Sequence, residues 1–137
     1  NRRSTMTDLK QIFSRTTLRE LFPQERTDAF FDALFGDASE GAYDIELAFD
    51  SYDRAAKNLR FLLNLRERPG CCLACNLTYG LPEVFARHPV IDLKGLVRDI
   101  EGRLGGEMVC GDWRLGRTVQ QDNALHSIPL EIEVRQA

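Results

Sequence analysis

Four cysteines and two histidines are the residues of this chain best suited to chemistry. Two residues lie between Cys72 and Cys75, and twelve more lie between Cys75 and His88. Tyr79 and Phe85 lie between the second cysteine and the histidine. A thiolate hairpin, a small aromatic core and a helix carrying imidazole are the parts of a tetrahedral zinc site. Cys72, Cys75 and His88 are therefore the candidate metal ligands. Asp92 stands where a second histidine would be expected, and Cys110 or His126 could complete the set. A zinc-stabilised nucleic-acid-binding module is the function such a site would imply.

Three features oppose that reading. Aspartate is an unusual fourth ligand in this pattern. Pro89 ends the helix directly after His88. On a regular strand, residues three apart face opposite sides, so the Cys72 and Cys75 thiolates would diverge. The favoured expectation is that Cys71 and Cys75 are small core residues, that His88 closes a helix, and that no cofactor is bound. A redox pair is disfavoured as well, because no helix opens at Cys72 to lower a thiol pKa.

A second constellation lies between Gly111 and Thr118. Trp113, Arg114, Arg117 and Thr118 are the candidate ligand-binding residues, suited to an anionic ligand or an acidic peptide. The competing reading, which is favoured, is a strand end with Trp113 in the core and the arginines in solvent. No nucleophile elbow, phosphate-binding loop or dinucleotide fingerprint is present. Only His88 and His126 are available as imidazole bases, and His126 shares strand parity with Ile128 and Leu130. No catalytic residue is assigned, and an enzyme using His88 or His126 is the second alternative to a binding function.

The elements that must position these residues follow from hydrophobic period. Thr7 and then Thr16 or Thr17 can cap two short helices carrying Leu9, Ile12, Phe13 and Leu18, Leu21, Phe22. Pro23 suits the first turn of a third helix with Phe30, Phe31, Leu34 and Phe35 at helical spacing, closed by Gly36. Tyr43, Ile45, Leu47 and Phe49 then alternate with polar residues, as do Leu59, Phe61, Leu63 and Leu65. An antiparallel register with Ile45 opposite Leu65 also places Asp44 by Arg66 and Asp50 by Arg60, so one register satisfies both faces. The basic stripe Arg54, Lys57, Arg60, Arg66, Arg68 is then largely neutralised. A third strand is expected from Cys71 to Tyr79, with Leu63 facing Cys75 and Leu65 facing Leu73. A helical turn from Pro82 to Arg87 follows, then a helix capped by Asp92 with the stripe Leu93, Leu96, Val97, Ile100, Leu104. Strands around Val109 to Leu115 and Ile128 to Val134 complete the chain. The expected fold is α+β: an antiparallel sheet of about five strands. The N-terminal helices and a helical crossover between the third and fourth strands pack on one face.

Length and composition agree with a single domain over residues 1–137. The chain has 43 % hydrophobic and 28 % charged residues, which is globular. Residues 1–6 are expected to be disordered or vector-derived, with Met6 read as the native start. No apolar segment resembles a signal peptide or a membrane span, so a cytoplasmic protein with reduced thiols is expected. The net charge of −3 opposes whole-protein attraction to nucleic acid or membranes.

Four stretches carry a family resemblance: Leu21-Phe22-Pro23, the run Phe30 to Asp37, the segment Cys72 to Pro82, and Trp113 to Thr118. Over Asp8 to Val134 the chain resembles a small group of uncharacterised bacterial proteins, some of them labelled "pancreas/duodenum homeobox protein". The resemblance implies no activity. The label itself conflicts with the residues: a homeodomain needs a basic recognition helix. The third helix has Glu25, Asp28 and Asp32 against Arg26 alone, and no asparagine. The expected function is a cytoplasmic domain that binds a protein or a small ligand without catalysis.

Overall fold

The computed structural model describes residues 6–36, 43–70 and 81–136. Three helices come first: α1 (Met6–Ile12), α2 (Arg15–Leu21) and α3 (Gln24–Phe35). The hairpin strands β1 (Tyr43–Asp53) and β2 (Asn58–Glu67) follow. Helices α4 (Leu81–Arg87) and α5 (Leu93–Arg103) then lead to β3 (Met108–Leu115), β4 (Val119–Asp122) and β5 (Leu125–Gln136). No described helix is long and apolar enough to cross a membrane.

The sheet is antiparallel and five-stranded, in the order β1-β2-β5-β3, with β4 also paired to β5. The fold is α+β, as the hydrophobic pattern predicts. Ile45 stands opposite Leu65, Leu47 opposite Leu63 and Phe49 opposite Phe61. The second edge of β2 belongs to β5: Ile128 lies opposite Leu63, and His126 opposite Leu65. The expected pairing of β2 with residues 71–79 is thus replaced, although that segment itself lies outside the described residues. Helices α4 and α5 precede β3 in the chain, as the expected helical crossover does.

β3 and β4 share the remaining edge of β5, one along its C-terminal half and one along its N-terminal half. The break between them has a local cause. Pro129 has no N–H to give, and its carbonyl accepts from Gly116 N at 2.8 Å, so both backbone groups of Pro129 face the break. A proline is thereby accommodated in a central strand, where it would otherwise remove a ladder bond.

The core lies between one sheet face and the helices. Leu59, Phe61, Leu63, Leu65, Ile128, Leu130 and Ile132 are fully enclosed. Phe13, directly after α1, stacks near Phe49 and meets Phe61 edge-on, and Phe30 of α3 meets Phe85 of α4 edge-on. From α5 the expected stripe Leu93, Leu96, Val97, Ile100 is buried. Its N-cap is Asp92, in the left-handed region, with a carboxylate that accepts from Gly95 N at 3.1 Å. Gly36 closes α3 in the left-handed conformation, where a glycine carries no Cβ penalty. Two local expectations are corrected. Ser14, not Thr16 or Thr17, caps α2 and accepts from Thr17 N. Pro23 precedes α3 as its N-cap and does not enter its first turn.

The open sheet face is ion-paired. Arg60 lies 3.3 Å from Asp50 and 3.1 Å from Glu131, which also takes Arg114. Asp50 is the extra residue of a bulge between Phe49 and Ser51, so the Asp50–Arg60 pair forms off the ladder. Asp44 stands opposite Arg66 but bonds Arg68 at 2.9 Å, while Arg66 turns to Glu46 at 3.4 Å. The basic stripe of β2 is neutralised, partly by diagonal partners.

Candidate functional site

A groove of about 770 Å³ lies between α2 and β1, the outer strand of the sheet among the described residues. One wall is a helical stripe, Arg15, Leu18, Arg19 and Phe22, at positions i, i+3, i+4 and i+7. The opposite side is sheet: Glu46 and Ala48 of β1 with Asn64 and Arg66 of β2. Ligand pockets commonly range from about 300 to about 1,000 Å³, and this one mixes apolar and polar lining as they do.

The floor is held by a fixed edge. Thr27 of α3 is fully enclosed, donates from its hydroxyl to Ile45 O at 3.3 Å and accepts from Ile45 N at 3.4 Å. Both backbone groups of Ile45 therefore point away from β2. Backbone direction alternates along a strand, so Leu47 points the same way, toward the groove. Gln24 reinforces the corner, donating to Asp44 at 2.9 Å and to Asp28 at 3.2 Å. Phe22, at the base of the wall, is buried with the Arg26 guanidinium 5.0 Å above its ring.

The charges of the lining divide into satisfied and unsatisfied. Glu46 and Arg66 pair with each other. Asn64 accepts from Ser127 Oγ at 2.6 Å. Arg15 and Arg19 are exposed, and among the described residues neither forms an ion pair.

The constellation Trp113, Arg114, Arg117, Thr118 is distributed over both faces. Trp113 lies opposite Ile132 and packs on the core, whereas Arg114 lies opposite Glu131 on the open face and is paired to it. Gly111 and Asp112 together face Glu133, a bulge that resets the parity before Trp113. Arg117 is exposed in the break after β3, and Thr118 beside it has a buried hydroxyl with no hydrogen-bond partner among the described residues.

Of the candidate metal ligands, Cys72 and Cys75 lie outside the described residues. His88 is half-buried, its ring edge-on to Phe30 with centroids 4.9 Å apart. Its Nδ1 accepts from Val90 N at 3.2 Å, which leaves Nε2 to carry the proton of the neutral ring. Asp92 spends its carboxylate on the α5 cap. His126 is buried on the core face, and its Nδ1 has no hydrogen-bond partner among the described residues. Cys110 is half-buried, and its thiol is pushed up to about 11 by burial and, secondarily, by the Glu101 carboxylate. That carboxylate also accepts from Cys110 N at 2.9 Å, tying α5 to β3. Among the described residues no three His, Cys, Asp or Glu side chains converge on a common point.

Sequence reasoning missed the groove. The apolar residues Leu18 of α2 and Phe22 at its C-cap were legible, but Arg15 and Arg19 were not singled out, and the strand that faces them is set by tertiary packing. No protein-family model, curated protein or solved structure matches this chain.

Proposed function

We propose that this chain is a cytoplasmic binding domain, acting on a protein or small ligand without catalysis, and that its ligand lies in the α2–β1 groove. The observation that carries the reading is the groove itself: a concavity of about 770 Å³ whose wall is one helical stripe and whose floor is a strand edge held by a buried threonine. A ligand there meets apolar surface at Leu18 and Ala48 and polar groups at Asn64, Arg15 and Arg19. A cytoplasmic location suits a chain with thiols such as Cys110 kept reduced.

Fragment screening by two-dimensional NMR tests the site without knowledge of the ligand. Small uncharged aromatic and aliphatic fragments are expected to shift amides of Leu18, Phe22, Ala48 and Asn64 together. Fragments that cluster instead around Trp113 and Arg117, or that perturb no contiguous surface, would overturn the assignment.

A further inference from the structure

We infer that the occupant of this groove is an extended acidic segment of a partner protein, with carboxylates two residues apart held by Arg15 and Arg19. The inference rests on the reading of the groove as the ligand site. Charge supports it first. Three arginines and two glutamates line the groove, but Arg66 and Glu46 neutralise each other. Arg15 and Arg19 on one wall and Glu25 on the next helix remain without a described ion-pair partner. The α2 wall is therefore a pair of free guanidiniums, each with a planar fork suited to a carboxylate.

Spacing supports it second. Four residues of α-helix rise about 6 Å, which is the axial offset of Arg15 from Arg19. Two residues of an extended chain span about 6.6 Å, so its alternate side chains match that offset. The residue between the two acids then turns the other way, away from α2 and toward the sheet at Ala48. Such a segment would lie along β1, beside a strand edge whose Leu47 backbone already points outward.

The test uses the full chain, isotope-labelled, and an acetylated seven-residue peptide alternating glutamate and leucine. Two further peptides serve as comparators: its glutamine counterpart, and a helix-favouring peptide with glutamates four apart. The alternating acidic peptide is expected to shift the amides of Leu18, Arg19 and Ala48. Its affinity should fall about fivefold in the Arg15→Gln, Arg19→Gln double variant, the scale of two exposed ion pairs, and should weaken with added salt. Both arginines are exposed, so the variants keep the fold. Equal binding by the glutamine peptide, equal binding to the double variant, or tighter binding by the helical peptide overturns the inference. Concentration-dependent shifts of the same amides without peptide also overturn it, since a second copy would then fill the groove. If uncharged fragments still cluster in the groove while the acidic peptide does not bind, only the acidic partner is refuted. If neither binds, the site assignment falls with it.

Discussion

Replacing Thr27 by valine isolates one interaction at the edge of the sheet. Valine has nearly the same shape, so the change opens no cavity. It removes the hydroxyl that both donates to and accepts from Ile45. Thr27 is fully enclosed, so water has no ready route to replace it. The N–H and C=O of Ile45 would then face a methyl group. A buried polar group left without a partner costs about 1–3 kcal/mol. The two bonds, at 3.3 and 3.4 Å, are long, which places the loss near the lower end for each group. The expected total is about 2 kcal/mol. For a chain of this size that corresponds to a fall in Tm of roughly 8 °C. Urea unfolding should show a lower midpoint with an unchanged slope, because the surface exposed on unfolding is the same. Thr27→Ser keeps the hydroxyl and loses one buried methyl, costing about 0.8 kcal/mol. Serine should therefore be the milder change, the reverse of a hydrophobic ranking. A valine variant as stable as the parent would refute the claim that Thr27 satisfies this edge.

Two further outcomes follow from close contacts away from the groove. In Gly116→Ala the new Cβ would sit 2.8 Å from Pro129 Cγ, against a rigid ring at the β3–β4 break. A loss of about 1–3 kcal/mol is expected in urea unfolding, and no loss would show that the break has slack. Cys110 is expected to alkylate slowly with iodoacetamide at pH 8, followed by mass spectrometry of its peptide, and Glu101→Gln should accelerate it by removing a repulsive charge. The sign for stability is fixed by the same shift. The thiol titrates near 9 when unfolded and about 11 when folded, so its contribution is complete below pH 9 and is lost as pH rises to 11. Burial raises Tyr43 in the same direction, adding to alkaline destabilisation. Alkylation of Cys110 at the rate of a free thiol would refute the burial argument.

Much of the local architecture was legible in the residues. The β1–β2 register could be read because apolar residues matched on one face while Asp44 and Arg66 matched on the other, and a one-residue slip would have reversed both. The α5 stripe and its Asp92 cap were legible for the same reason: both are contained within a few residues of each other. The site was not legible. Arg15, Leu18, Arg19 and Phe22 show a helix face but say nothing about Ala48 and Asn64 across from it. The candidate set around Trp113 looked contiguous in the chain, yet strand alternation sends Trp113 to the core and Arg114 to the open face.

By itself, the sequence determined that β1, β2, β5 and α5 form and which side of each is buried, because periods of 3.6 and 2 are properties of the local backbone. The short, wholly exposed β4 carries no such period and was not read. Only the tertiary structure decided that β5, more than sixty positions along, takes the second edge of β2, and that Thr27 closes the β1 edge beside the groove. Those choices depend on packing among residues far apart in the chain, where several partners have suitable faces and only the joint burial of all of them selects one.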